Sequence, residues 1–529
     1  MERWRILAIA SYDVTARRHV SVRILLVYPE FPDTFWSLRH AIRFIRRKAT
    51  LPPLGLLTVA ALLPKEWEKR LVDMNVRSLD KADLEWADYV FLSAMVVQRQ
   101  SVRQVLARCQ EVGAKVVAGG PLFMGEYQEF PEIDCFVLGE AESLAETFVE
   151  DLRRGQLQHI YKAEEYPDIR KSPVPLWELV DTKCYSAMCV QFSRGCPFDC
   201  EFCNITAMFG HRPRTKTAEQ LIRELDGIYA TGWRGAVFFA DDNFIGNKRQ
   251  LKESVLPALI EWRKDKKGMQ FDTEVSINLA DDPELMEMMV AAGFGKVFVG
   301  IETPDEDSLA ECNKLQNKGR DLVEAVKTIQ RAGMEVQGGF IVGFDSDTPS
   351  IFQRQIEFIQ RSGIVTAMVG LLQAPYGTRL YERVKREGRL LGQLSGDNTD
   401  NTMNFLPKMD THLLHEGYQR ILTTIYSPRA FYHRVRTFLQ EYQKPHSIRA
   451  VLEWDHIYAL FRSMIDMGLK EKGRLEYWKT FFWTLFRKPR AFPDVITLSI
   501  YGFHFRRICE LYLGRKTPEL ARERAQRGD

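Results

Sequence analysis

The 529-residue sequence has no run of 18 or more apolar residues, so no stretch of it can span a bilayer as a helix. It has no strong charge of either sign. The 73 Lys and Arg against 70 Asp and Glu leave +3, which gives bulk electrostatics no reason to attract nucleic acid. A disulfide framework is also missing: the cysteines number nine, an odd count, and three of them crowd into eight positions. The opening residues fall short of a secretory signal, because their apolar stretch is brief and Asp13 and Arg17-Arg18 follow at once. Residues 1–22 are expected to be a loose extension. What remains is 45% hydrophobic and 27% charged, the balance of a globular chain. Its length predicts two or three domains with cores of their own.

The crowded cysteines lie in Ser193-Arg194-Gly195-Cys196-Pro197-Phe198-Asp199-Cys200-Glu201-Phe202-Cys203, spaced C-x3-C-x2-C. Three thiolates can hold three irons of a [4Fe–4S] cube and leave the fourth iron open. A structural zinc site needs a fourth Cys or His. His211, eight residues past Cys203, could supply it, so zinc remains an alternative at this point. An oxygen-labile cluster fits a reducing cytosol, and a cytoplasmic location is expected.

Residues 23–155 read as a parallel α/β domain. Short apolar runs begin at Arg23, Arg70, Ala87, Lys115 and Cys135, with helical stretches at Gly55–Leu63 and Gln100–Val112 between them. Ligands of such sheets bind beyond the carboxyl ends of the strands. Those ends carry Ser93, Gly119-Gly120-Pro121 and Gly139-Glu140. Cys109 and Cys135 read as buried small hydrophobes. Residues 156–185 are punctuated by proline and read as a linker.

From 186 to 400 strands and helices alternate again. Strands are expected at Ala187–Phe192, Gly235–Ala240, Gln270–Ile277, Lys296–Gly300, Gln337–Val342 and Ala367–Leu372. Six β/α units are fewer than the eight of a closed barrel, so a partial (β/α)6 barrel is expected, with its site at the carboxyl ends. Residues 401–529 are helical in pattern, over Leu413–Tyr426, Pro428–Gln443 and Ile448–Met467, and the charged run from Glu519 to Asp529 reads as a frayed end. There aromatics interleave with Lys and Arg, in Tyr477–Arg490 and again in Tyr501–Arg507. That composition suits either a helix lying in a lipid headgroup layer or one packing its rings on the barrel.

The cysteine spacing, with the aromatic Phe202 just before the third Cys, resembles radical S-adenosylmethionine (SAM) enzymes. The resemblance implies that Cys196, Cys200 and Cys203 hold a [4Fe–4S] cluster. SAM would chelate the open iron and be cleaved to a 5′-deoxyadenosyl radical. It implies SAM contacts at Phe202, at Asp241 in place of the family's glycine-glycine-glutamate, and at Glu274, Ser276 and Asn278 on one face of a strand. Glu302 and Gly339-Phe340-Ile341-Val342-Gly343 follow, the latter similar to the family's G-x-I-x-G element, with Gly339, Ile341 and Gly343 beside adenine. Tyr376 stands where the barrel mouth closes. Cys184, Cys189 and Cys312 receive no role.

The first domain resembles the Rossmann-like cobalamin-binding domain that precedes many of these barrels, through Pro53-Leu54-Gly55, Gly119-Gly120-Pro121 and Gly139-Glu140. Cobalamin contacts are expected at Pro53, Leu54, Gly55, Ser93, Met95, Gly119, Gly120, Pro121, Gly139 and Glu140. The D-x-H-x-x-G pattern that ligates cobalt is missing from this domain, so the residues after Ser93, Ala94 to Gln98, would cover the lower face. A domain that has lost its ligand is the alternative. The order of domains, and the run Asn204 to Arg214, resemble the hopanoid C-2 methylase group.

That resemblance implies a cobalamin-dependent methyltransferase acting on an unactivated carbon, of a lipid such as a hopanoid. The radical removes hydrogen, methylcobalamin supplies the methyl group, and a second SAM renews it. A flavodoxin or ferredoxin would donate electrons, and the tail could touch the inner face of the membrane. Two alternatives remain: radical oxidation, cyclisation or rearrangement without methyl transfer, and RNA modification. The RNA-modifying methylthiotransferases carry a second cysteine trio, which Cys109 and Cys135 are too far apart to form.

Overall fold

The computed structural model describes residues 22–444 and 454–513. Most of residues 1–22, part of the helix expected at Ile448–Met467 and the charged end from Glu519 lie outside the described residues.

The first sheet has six strands: β1 (Arg23–Tyr28), β2 (Glu68–Asp73), β3 (Tyr89–Ser93), β4 (Lys115–Gly119), β5 (Cys135–Leu138) and β6 (Ile160–Lys162). All pair in parallel, in the order β2-β1-β3-β4-β5-β6. The central strands are apolar throughout because both faces are covered. Leu25 and Val27 face one core, Ile24 and Leu26 the other. Helix α1 (Leu54–Leu62) covers one side and α2 (Arg99–Val112) the other. β6 falls in the stretch read as linker; at three residues, it is too short to show a pattern.

The second sheet also has six parallel strands: β7 (Ala187–Val190), β10 (Ala236–Phe239), β11 (Phe271–Val275), β12 (Phe294–Glu302), β13 (Glu335–Val342) and β14 (Ala367–Leu371). Their order β14-β13-β12-β11-β10-β7 is the winding of a partial (β/α)6 barrel. Between β7 and β10, a two-stranded ribbon of β8 (Ser193–Arg194) and β9 (Arg214–Thr215) closes the base of the cysteine loop. The open edge beside β7 is met by the first domain, where Ala49 bridges to Tyr185 in parallel and Thr50 O accepts from Ala187 N.

The tail adds α3 (Thr411–Ile425), α4 (Pro428–Glu441), α5 (Trp454–Ile465), α6 (Arg474–Arg487) and α7 (Phe492–Leu513). Asp410 caps α3, and Ser427 caps α4 ahead of Pro428 at its first position. α7 is interior packing: the Phe505 ring stacks on Phe35 at 4.1 Å, and His504 Nε2 lies 3.0 Å from Phe35 O. The basic-aromatic run Tyr501–Arg507 thus puts Phe503 and Phe505 on the first domain and Tyr501 against Lys296 of the barrel. No described helix is long and apolar enough to cross a membrane.

Candidate active site

The cysteine loop leaves the carboxyl end of β7 and is held from beneath. Gly195 has φ +92°, and a Cβ there would stand 2.9 Å from Gly210 O and 3.0 Å from Phe209 O, so only glycine fits the turn. Asp241, just past β10, accepts from the backbone N–H of Phe192 and of Ser193. Asp242 accepts from Gly195 N at 3.1 Å. Burial pushes the two carboxyls up, to about 7 for Asp241 and about 6 for Asp242, against these hydrogen bonds. Asp241, expected beside the SAM amino group, is instead buried beneath the loop and spent on holding it.

The thiols of Cys196, Cys200 and Cys203 are half-buried. N–H groups surround them: Phe198 N on Cys196, Ile205 N on Cys203, Asn243 Nδ2 at 4.0 Å from Cys196 Sγ and Gln316 Nε2 at 3.9 Å from Cys200 Sγ. Burial raises the free thiols, Cys203 to about 12, while the N–H donors favour the thiolate that an iron would require. No three His, Cys, Asp or Glu side chains among the described residues converge on one ion. A cube whose corners are separate irons does not ask its thiolates to converge. The donor set therefore fits a cluster, and the alternative ligand His211 is exposed.

The barrel interior beside the loop is lined by alternate residues. Glu274, Ser276 and Asn278 are half-buried and share the inward face, while Thr273 before them and Val275 and Ile277 between them are buried. Ser276 Oγ donates to Asn278 Oδ1 at 2.6 Å, and Ser276 N to Asn243 Oδ1 at 3.2 Å, a chain that ends at Cys196. Glu274 accepts no hydrogen bond among the described residues. Burial, then the nearby Asp242 and Asp241, push it up to about 8. An acid-rich pocket of this kind favours a cationic ligand. SAM brings an ammonium and a sulfonium, so the residues present fit it.

Phe202 lies with its ring 6.3 Å from Phe344. Glu302 ends β12 in the left-handed region (φ +62°) after a register shift, and pairs with Lys314 at 2.6 Å. A Cβ on Gly300 would stand 2.3 Å from that carboxylate, so the glycine makes room for the pair. Gly339 and Ile341 face inward, Gly339 under the Phe298 ring. Gly343 does not: it is buried beside Leu414 and Met403, with its N–H given to Asp347.

In the first domain a cavity of about 310 Å³ opens at the strand ends. Leu54, Gly55, Ser93, Gly119, Gly120, Gly139 and Glu140 line it, and so do Gln191, Arg194, Phe209 and Lys216 of the barrel. Its apolar walls and glycine-lined floor suit one part of a large cofactor such as cobalamin, the rest of which would lie outside the cavity toward the barrel residues. Three expected contacts lie elsewhere. Pro53 is the residue before α1 and Pro121 the first residue of a short helix, Pro121–Glu126, so both serve as helix entries, and Met95 is 49% exposed. Of the segment expected over the lower face, Gln98 is fully buried, donating to Pro29 O and accepting from Met95 N. Val96 and Val97 pack against Gly396 of the barrel.

No sequence motif marks Lys314 and Gln316. They reach the cluster loop because Glu201 N donates to Cys312 O and Asn313 Nδ2 to Asp199 O. Nor does a motif mark the bridge from Glu140 and Glu142 to Arg194 and Arg214, whose partners lie 52 to 74 residues apart.

Residues 41–149 match the B12 binding domain family, 190–359 the radical SAM superfamily, and 378–517 a domain of unknown function, DUF4070. An uncharacterized methyltransferase of Synechocystis is 39% identical over 497 residues, covering 92% of this chain and 91% of the relative. The hopanoid C-2 methylase of Rhodopseudomonas palustris is 35% identical over 475 residues, 87% of this chain and 88% of that one. Among solved structures, the cobalamin-dependent radical SAM enzyme OxsB, with aqua-cobalamin and SAM bound, superposes with a TM-score of 0.60 at 14% identity, covering 96% of this chain and 81% of that one. The radical SAM methyltransferase TsrM of Kitasatospora setae, with cobalamin and [4Fe–4S] bound, gives 0.58 at 13% identity, covering 93% and 100%. At such identities the likeness is one of fold.

Proposed function

This chain belongs to the cobalamin-dependent radical SAM methyltransferases that include the hopanoid C-2 methylase, and from that premise we propose that it methylates an unactivated carbon of a membrane lipid. Its cofactors are a [4Fe–4S] cluster, SAM and cobalamin. When bound, they supply a hydrogen-abstracting radical and a transferable methyl group. The chain's own residues do the rest. Cys196, Cys200 and Cys203 present thiolates, with Asn243 and Gln316 donating to two of the sulfurs. Glu274, Ser276 and Asn278 orient SAM. The cavity beside Gly55 and Gly119 holds cobalamin next to the barrel mouth.

The observation that carries the lipid reading is the 35% identity to the hopanoid C-2 methylase over 88% of its length. The barrel interior supports it. Phe238, Phe298 and Met368 are half-buried on inward positions. Trp36 of the first domain lies edge-on to Phe298 at 5.5 Å, with its indole N–H 3.0 Å from Met368 Sδ. Such a wall suits a greasy substrate and keeps water from a radical. We place the enzyme in the cytoplasm, with a flavodoxin or ferredoxin as electron donor and the membrane as neighbour. The test is anaerobic reconstitution with hydroxocobalamin and methyl-labelled SAM, supplied with lipid extract from cells lacking the gene. Label should enter one lipid. Deoxyadenosine without labelled lipid would favour radical chemistry without methyl transfer.

A further inference from the structure

The tail domain carries an exposed apolar face that the chemistry does not use. Nine of the nineteen exposed large apolar side chains among the described residues fall between 454 and 486. Single exposed hydrophobes are ordinary, whereas a concentration of them marks an interaction surface. On α5, Trp454, Tyr458, Phe461 and Ile465 fall within about 60° of one another at 100° per residue, and Leu469 extends the line on the turn that follows. Trp454 is 84% exposed. On α6, Leu475, Phe482 and Phe486 lie within about 40°, and Phe486 is 78% exposed. The two helices touch through Ser463 Oγ and Tyr477 OH at 2.9 Å, and Trp478, on the flank of that stripe, donates its indole N–H to Gly468 O on the connecting turn at 3.0 Å.

The opposite flank of α6 is cationic. Lys479, Trp483 and Glu476 lie about 40–100° round from the apolar stripe. They form one wall of a groove of about 640 Å³ whose other wall is α4, with Arg429, His433 and Arg436. Three permanent cations thus meet one carboxylate, Glu476, which both Arg436 and Lys479 share. Elsewhere in the hairpin each acid is already neutralised: Asp455 by Arg47, Asp466 by Arg462 and Lys470, Glu471 by Arg507. Lys472, Arg474 and Arg487 are exposed and have no carboxylate partner among the described residues.

We propose that the α5–α6 hairpin is a docking surface for an anionic bilayer: its aromatic stripes enter the interface, and the groove between α4 and α6 takes a phosphate headgroup. This rests on the reading that the substrate is a membrane lipid, and it gives the domain of unknown function a task. Charge complementarity selects the occupant. An aromatic stripe flanked by unpaired Lys and Arg matches apolar chains beneath negative headgroups. A second copy of this face would set its excess cations against each other.

The test uses full-length protein, purified anaerobically, and co-sedimentation with phosphatidylcholine vesicles with or without about 30% phosphatidylglycerol. The protein should pellet with the anionic vesicles at least about tenfold more than with the neutral ones, an advantage that salt removes. Leu475→Glu with Phe486→Glu should abolish pelleting with either vesicle. Arg429→Glu with Lys479→Glu should abolish the anionic preference. Both double variants should still form deoxyadenosine, which shows that they fold. No preference in the wild type, or wild-type pelleting by both double variants, overturns the proposal. So does a dimer that light scattering detects and the Leu475/Phe486 variant disperses. A detergent-dispersed lipid extract separates the two readings. Methylation there without vesicle binding sinks the docking surface alone, whereas vesicle binding without any lipid methylated sinks the substrate reading alone.

Discussion

Glu140 of the first domain lies 2.6 Å from Arg214 of the barrel, and its second carboxylate oxygen meets Arg194 at 2.5 Å. Glu140 also lines the cofactor cavity, and the two arginines flank the cysteine loop. One buried carboxylate therefore fixes the distance between the two places where chemistry happens. Removing one partner of a buried, hydrogen-bonded ion pair strands the other's charge and costs about 3 kcal/mol. Glu140→Ala should lower the thermal midpoint. It should also cut methyl transfer far more than deoxyadenosine formation, because SAM cleavage needs only the barrel. Equal loss of both activities would mean that the clamp serves the barrel alone.

Glu142 extends the clamp with a pH signature. Burial would raise its carboxyl, but Arg194 at 2.8 Å and the hydroxyl of Ser172 hold it down to about 2. A depressed carboxylate stabilises the folded state above its unfolded value, and that stability is lost as pH falls through the folded one. Contact between the domains should hold at pH 5 and weaken between about 4.5 and 2. Intrinsic fluorescence and scattering profiles against pH would show it, and Glu142→Gln should remove that part of the pH dependence.

Glu274 has the opposite sign. Its carboxyl is raised to about 8, so at pH 7 it is mostly protonated, and the folded state loses stability as pH rises from the unfolded value toward 8. A SAM ammonium beside it would favour the carboxylate. Binding at pH 7 should then release close to one proton, visible as a difference in calorimetric heat between buffers of unequal ionisation enthalpy. Glu274→Gln should abolish the release and weaken SAM binding about tenfold. A release unchanged in the variant would place the ammonium elsewhere.

Gly55 offers a clean probe of the cavity. A Cβ there meets nothing within 4 Å, and the residue lies in α1, where replacing glycine favours the helix by up to about 1 kcal/mol. Gly55→Trp should fold, fill the cavity and reduce cobalamin retention on a desalting column at least about tenfold. Gly55→Ala should keep cobalamin. Deoxyadenosine formation should survive in both.

Every strand of the two sheets except β6 was legible, because a parallel sheet buried on two faces writes each strand as an apolar run, as in Ile24–Val27. The inward Glu274, Ser276 and Asn278 were legible from alternation. Asp241 was misplaced because a carboxylate at a strand end reads the same whether it meets a ligand or backbone N–H groups. Only the fold shows that Phe192 and Ser193 claim it. Lys314 was invisible for a different reason: it sits in an irregular turn after a six-residue helix, and its partner Glu302 itself takes a left-handed backbone that no pattern announces.

Lys314 also carries a prediction. Its ammonium is buried, paired with Glu302 at 2.6 Å, and within electrostatic reach of Cys200 and Cys203, which together hold it well above its ordinary value. A fixed cation beside a cluster stabilises the added electron, so its removal should make reduction harder. At an effective dielectric near 20 and a separation of about 8 Å, one charge is worth roughly 2 kcal/mol, or about 90 mV for one electron. Lys314→Met should lower the cluster's midpoint potential by that order in a titration followed by electron paramagnetic resonance, and slow deoxyadenosine formation with a weak reductant more than with dithionite. Because the single variant leaves Glu302 unpaired, Lys314→Met with Glu302→Gln is the control: it should regain cluster content and part of the shift. If cluster content falls but the potential stays put, Lys314 is structural. Replacing Cys196, Cys200 or Cys203 by Ala sets the baseline, at which the cluster's visible absorbance and SAM cleavage should both vanish.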